Sequence, residues 1–386
     1  MKIQYRRRFP SLLVAFLAIS FARTGHGQSQ YLSETGSPPN TSLQPLPMGY
    51  VNVGNGNLHI EIPFVSIPQR GGKPFFAKLT YDSRIWTILD NGTSKKWVSN
   101  NTFAGWRFVT PYGGYPIMQN VMEGCLVYNP ETEMLELKTF YSLRNYRYVD
   151  SGGTVRKFAL YRAPNGNDCG VGSLTYSGPA VDGSGYMMDM NYTYGTVTRV
   201  TAPDGTTVYR ATPFVGASGG IWDSNGNYFC KDSAICGSTN DTLGRTVFQT
   251  SVDGEVSSYT FPNSSGSNST FDVSYSADTP HSGMSCTSFG VSGVTEDCTG
   301  PHSMVEYITL PDSTTYEFTY EQDYGLISSM TLPTGETVSF TYVNFTDAQG
   351  NVDRWLTEVT RAGEGWTYTQ ATCGTECNKV TGLCLA

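Results

Sequence analysis

The groups in this 386-residue chain that could do chemistry are few and scattered. The four histidines, His26, His59, His281 and His302, lie far apart, and no HExxH, Walker A or GxGxxG pattern occurs. Gly216-Ala217-Ser218-Gly219-Gly220 fits G-x-S-x-G. A nucleophile elbow, however, needs that serine between a strand and a helix. Ile221 to Gly226 reads as a turn instead, so a glycine-rich loop is expected. Asp223-Ser224-Asn225-Gly226-Asn227 offers oxygen ligands at alternate positions. A calcium loop of the EF-hand kind wants glycine sixth and glutamate twelfth. Here glycine is fourth and Ala234 is twelfth, and an Asn-Gly hairpin turn fits better. Trp97 and Trp106, with Trp86, Trp222 and Tyr115, could stack on sugar rings or fill a core. No catalytic residue, metal ligand set or cofactor is expected.

The nine cysteines depend on the compartment. Arg6-Arg7-Arg8 is followed by the apolar run SLLVAFLAISFA, Ser11 to Ala22. A basic head and a short apolar core are the pattern of a secretory signal peptide, with cleavage after Ala22 or Gly27. A spanning helix needs about 20 apolar residues, so no permanent membrane span is expected. The chain is read as secreted or held at the cell surface. In an oxidising compartment, Cys230–Cys236 and Cys286–Cys298 each close a short loop and are the expected disulfides. The partners of Cys125, Cys169, Cys373, Cys377 and Cys384 stay open.

The elements that must position these groups are strands. Charged residues are only 15% of the chain, while Gly (42) and Tyr (25) are abundant. That favours short strands and glycine turns over helix bundles. Removing residues 1–27 leaves 20 basic against 33 acidic residues and a net charge of −13. Nucleic acid is therefore excluded as a partner for want of a basic face. Residues 28–48 read as a flexible lead-in. NLHIEIPFV, Asn57 to Val65, alternates with a period of two, as does KPFFAKLTY, Lys73 to Tyr81. Asn-Gly or Asp-Gly pairs recur and suit tight hairpins with positive φ at both central residues. Asn129 to Tyr141 could cap a helix or form a hairpin strand, and the Leu135/Leu137/Thr139 alternation favours the strand. Residues 262–300, rich in Ser, Thr, Gly and Asn, read as a long, partly mobile insertion.

ITLPDSTTYEFTY (Ile308–Tyr320) and MTLPTGETVSFTY (Met330–Tyr342) repeat each other at an offset of 22 residues. TRVTAPDGTTVY (Thr198–Tyr209) is a third copy, and YVDSGGTVRKF (Tyr148–Phe158) a looser fourth. One strand–turn–strand unit cannot bury its own face, whereas stacked units can. With Gly325-Leu326-Ile327, Leu332-Pro333-Thr334-Gly335 and Leu243-Gly244-Arg245, the chain resembles the Rhs/YD-repeat family. Asn52 to Ser83 is similar to the opening segment of its secreted bacterial members. It departs from that pattern in having Tyr320-Glu321 for Tyr-Asp.

The resemblance implies an all-β fold of antiparallel hairpins in curved sheet. The expected organisation is a β-rich region over 49–215 and a repeat region over 216–386. The function it implies is a non-enzymatic shell segment or display scaffold, partnered by the remainder of a longer repeat chain or another β-repeat protein. Trp355 to Ala386 is then expected to be an open sheet edge. The alternative is a cell-envelope carbohydrate-binding module or glycan hydrolase acting on surface glycans.

Overall fold

The structure is a computed structural model. It describes residues 34–368 apart from 39–40, 47, 71–72, 91–94, 100–102, 112–113, 164–168, 170–173, 211–220, 231–239, 279–301, 323 and 347–351. Among these residues there is no helix, and every sheet is antiparallel. The all-β expectation holds at that level.

The first sheet contains β1 (Leu43–Leu46), β2 (Gly49–Asn52), β3 (Asn57–Ile67) and β4 (Phe75–Asp82). A separate ribbon of β5 (Trp86–Asp90) and β6 (Lys95–Ser99) intervenes, and β7 (Trp106–Val109) then completes the sheet beside β4. Among the described residues of the lead-in, Leu43–Leu46 thus form a regular strand. Pro45 is accommodated because β1 is an edge strand. In β3 the alternation sends Leu58, Ile60 and Ile62 into the core. Phe64 continues that alternation, and a bulge at Pro63–Val65 then shifts the register so that Val65 and Ile67 beyond it pack on the core.

The next sheet is built on a long hairpin, β8 (Tyr115–Asn129) and β9 (Met134–Val149), so Asn129 to Tyr141 forms no helix. Against β9 lie β10 (Val155–Phe158) and β11 (Tyr161–Arg162), with β12 (Leu174–Thr175) beyond. A seven-stranded sheet follows in chain order: β13 (Ser177–Pro179), β14 (Met187–Met190), β15 (Val197–Thr201), β16 (Thr207–Arg210), β17 (Ile221–Trp222), β18 (Tyr228–Cys230) and β19 (Asn240–Asp241).

The last sheet has nine strands, also in chain order. They are β20 (Gln249–Asp253), β21 (Val256–Pro262), β22 (Asn268–Asp278), β23 (His302–Thr309), β24 (Thr315–Tyr320), β25 (Ile327–Thr331), β26 (Thr337–Thr346), β27 (Val352–Arg361) and β28 (Glu364–Thr367). Part of the supposed insertion is therefore regular: β22 runs through Asn268–Asp278 with its Phe271 and Val273 buried. Its Thr270 and Ser274 take the alternate positions facing away from Phe271 and Val273, so bulk composition misjudged it. Among the described residues β28 ends this sheet.

One turn joins many of these strands. In Asp150–Thr154, Ala202–Thr206, Asp223–Asn227, Asp241–Arg245, Asn263–Ser267, Leu310–Thr314 and Leu332–Glu336, the first N–H donates to the fifth carbonyl. The fourth N–H donates to the first carbonyl. The fourth residue has φ between +69° and +86°, and it is glycine in every case except Ser313. This is the three-residue loop closed by a left-handed residue. It corrects the expectation of positive φ at both central positions: Asp204 and Asn225 keep negative φ, and carboxylate oxygens of Asp204 in one turn and Asp223 in the other cap the loop. Asp204 Oδ1 does so by accepting from Thr206 N at 2.9 Å.

Two cores result. The larger joins the first sheet to the nine-stranded sheet through aromatic contacts. Phe64 stacks on Phe271 at 4.6 Å and Phe108 on Tyr259 at 4.1 Å, with Phe75, Phe248 and Phe261 between. The smaller lies between β9–β10 and β14–β16, around Tyr146, Tyr148, Phe158, Met188 and Val200.

Candidate functional site

The face of β3 that the core does not use carries His59 and Glu61. Period-two alternation places them together, two residues apart. Across the strands Tyr50 on β2 and Asp82 on β4 stand directly opposite His59, so the three form one row. The Tyr50 and His59 rings stack at 4.5 Å. His59 Nδ1 lies 2.9 Å from Asp82 Oδ1, and Nε2 lies 3.2 Å from Glu61 Oε1. Lys78 donates to Glu61 as well. Asp82 is fully buried and its Oδ1 also accepts from Asn57 Nδ2 at 2.7 Å and Gly36 N at 3.2 Å.

Burial by itself would depress the His59 imidazole. The charge and hydrogen bond of Asp82, reinforced by Glu61, outweigh it and raise the pKa to about 9. The hydrogen bond from His59 brings Glu61 down to about 2, with Lys78 helping against burial. Burial opposes ionisation of Asp82 too, but His59, then Arg107 and Asn57, hold it below the usual carboxylate range. Near neutrality the trio is an imidazolium between two carboxylates. A histidine in that state has no lone pair with which to act as a base. Its partners make it a clamp: Gly36 N binds Asp82, Ser37 Oγ meets Tyr50 OH, and Thr35 Oγ1 donates to Gly153 O at 2.8 Å. The segment is thereby tied both to the first sheet and to the Asp150–Thr154 turn. Gly36, at φ +66°, has no room for a side chain, since a Cβ there would lie 2.4 Å from Thr154 Oγ1.

Tyr50, His59 and Glu61 form one wall of a cavity of about 540 Å³. Its other walls include Tyr148, Asp150, Tyr186 and Asp204. The Tyr148 and Tyr186 rings lie 6.3 Å apart, and Arg156 sits over Tyr186 at 5.1 Å. Burial pushes the Asp150 carboxyl up, while a hydrogen bond from Lys73 brings Asp204 down to about 2. Gln69 Nε2 and Arg156 Nε are buried without a hydrogen-bond partner. The volume suits a small organic ligand.

The residues singled out in the sequence fare differently. Trp106 is not available to a sugar: it is buried, packs edge-on against Phe318 at 4.9 Å, and donates from Nε1 to Tyr320 OH at 2.9 Å. Its inward position on β7, between the two sheets, gives the indole both apolar cover and an acceptor. Trp97 stands opposite Ile88 in the β5–β6 ribbon, and its side chain lies outside the described residues. Asp223 to Asn227 form a hairpin turn in which Asp223 Oδ1 accepts from Asn225 N and Asn227 N, both at 2.8 Å. Cys230 ends β18, and its expected partner Cys236 lies outside the described residues, as do Cys286, Cys298 and Gly216 to Gly220. The disulfide that is seen joins Cys125 to Cys169. His302 is buried at the start of β23. The row at His59 escaped the sequence reading, although His-x-Glu within an alternating strand was its one available signal.

No protein-family model and no curated protein matches the chain. Among solved structures, a porin-like protein from Bacteroides uniformis is similar over 85% of this chain and 100% of its own. The identity is 12% and the TM-score 0.18.

Proposed function

We propose that the chain is an exported, non-enzymatic scaffold: a wall of stacked hairpins resembling the YD-repeat shells, which presents surface to other molecules. The nine-stranded sheet carries this reading. Its strands follow one another without a crossover, and its apolar side is closed by the first sheet. Such nearest-neighbour stacking is the way repeat proteins build extended surface. The polar row at His59 fits the reading as a clamp on the N-terminal segment. The test is expression with the native leader in a bacterial host, with fractionation and mass spectrometry. Protein lacking its first 22 or 27 residues outside the cytoplasm is expected. Hydrolase screens should show no turnover. Retention in the cytoplasm, or turnover abolished by His59→Gln, would overturn the proposal.

The cavity favours a second reading, a glycan-binding module. Tyr148 and Tyr186 offer ring faces, and Asp150, Asp204 and Asn227 offer hydrogen-bonding groups to hydroxyls. A glycan array compared with Tyr186→Ala separates the two. Saturable binding that the variant loses at unchanged melting temperature supports the module. Silence across the array counts against it.

A further inference from the structure

The β8–β9 hairpin is amphipathic the wrong way round. In register, Met122 opposes Tyr141, Gly124 opposes Thr139, Leu126 opposes Leu137 and Tyr128 opposes Leu135. Opposed side chains share a face. This face holds no Asp, Glu, Lys, Arg or His, and its six large side chains are 57–68% exposed. The other face is the polar one, and it is the one turned toward the rest of the chain. There Arg144 pairs with Glu123 and lies over the Tyr161 ring at 4.7 Å, and Cys125 is bonded to Cys169. The ribbon is therefore pinned and cannot roll over to hide its apolar side. At its base the same apolar face runs into the smaller core through Leu143 and Met118. The seven-stranded sheet covers it there and no farther.

We infer that this ladder is the interface with a second copy of the chain, packed ladder on ladder across a two-fold axis near Gly124 and Thr139. Three observations choose that occupant. At roughly 100–130 Å² per half-exposed large side chain, the six present on the order of 700 Å², close to the ~800 Å² per partner of a stable interface. An uncharged, self-similar face meets the isologous requirement without burying a charge. The tip is acidic, with exposed Glu131 and Glu133 and no cation between Asn129 and Met134. That tip opposes an anionic membrane surface. It also favours the antiparallel arrangement, which keeps the two tips apart.

The test uses the full chain in sedimentation equilibrium, with hydrogen exchange at two concentrations. A dimer is expected at roughly 100 µM, since interfaces of this size associate in the micromolar range or tighter. Protection over 122–128 and 135–141 should rise with concentration. Leu126→Glu with Leu137→Glu should weaken association by about 100-fold or more, as two central apolar contacts are lost. Should the double variant misfold, Leu137→Ser alone should weaken it at least tenfold with the circular dichroism unchanged. A monomer at 100 µM, a dimer that the folded variants leave intact, or protection independent of concentration would overturn the inference. So would flotation of the wild-type monomer with phosphatidylcholine vesicles, which would assign the ladder to lipid instead.

Discussion

Two residues carry sharply different kinds of strain and charge. Ser313 holds the left-handed position that glycine fills in the six other turns of the same geometry, at φ +69°. A left-handed residue with a Cβ costs about 1–2 kcal/mol, and glycine returns part of that as unfolded-state entropy. Ser313→Gly should therefore stabilise by about 0.5 kcal/mol in urea titration. Gly335→Ala should destabilise by about 1 kcal/mol, and cleanly, because a Cβ there meets nothing within 4 Å. His59 acts through charge. Its folded pKa of about 9 exceeds its unfolded value, so its contribution is complete below pH 6.5 and is lost as pH rises through 9. Glu61 runs the other way: its contribution is present above 4.5 and fades as pH falls toward 2. Unfolding free energy should hence be greatest between about pH 4.5 and 6.5 as far as this trio decides. It should fall toward pH 9 by at most on the order of 3 kcal/mol. In His59→Gln that alkaline slope should vanish. A slope unchanged by the substitution would show that the trio does not set it.

The elements were legible where periodicity or turn chemistry speaks locally. Leu58, Ile60 and Ile62 declared the buried face of β3, and Leu-Pro followed by a left-handed glycine declared the turn at Leu332–Glu336. What stayed hidden needed a partner strand. The row Tyr50–His59–Asp82 exists only through the register of β2, β3 and β4, which no local pattern fixes. Trp106 stayed open between sugar stacking and core packing because its acceptor, Tyr320, is 214 residues away. Cys125 and Cys169 were left unpaired in the sequence reading because 44 residues separate them, whereas short loops drew attention. That bond has a testable role at the scale of the hairpin. Closing a loop of this length restricts the unfolded chain by up to about 4 kcal/mol in the chain-entropy account. Beyond Ser142 the ribbon pairs with nothing but its own two strands, and such ribbons are marginal alone. Cys125→Ser should therefore speed proteolysis and hydrogen exchange within residues 120–142 first. Exchange in β22–β26 should stay close to wild type. Uniform loss of protection throughout the molecule would mean that the bond supports the whole fold and not the hairpin.

The whole molecule depends on a seam between the first and the nine-stranded sheets. Trp106 fills it from β7, resting on Phe318 and on Tyr81 at 5.2 Å. Tyr320, which accepts from the indole N–H, donates its own hydroxyl to Val305 O. Tyr81 OH accepts from Ile327 N at 3.1 Å. Farther along, the β2–β3 turn meets β27: Leu356 N donates to Gly56 O, and a Cβ on Gly56 would lie 2.8 Å from the Trp355 ring. Removing the Trp106 side chain leaves a large void and orphans the Tyr320 hydroxyl as an acceptor. Both losses fall on one site that each sheet needs. Trp→Ala in a core costs about 3–5 kcal/mol, a large share of the stability of an ordinary domain. Trp106→Ala should accordingly shift the urea midpoint strongly. Because the sheets share one core, tryptophan fluorescence and far-ultraviolet circular dichroism should still report coincident transitions. Trp106→Phe should recover most of the packing but not the hydrogen bond, and so lie between. If instead Trp106→Ala melts like the wild type, the indole is not the keystone of the seam. If the two probes separate, the sheets are independent units and the seam is a contact between domains.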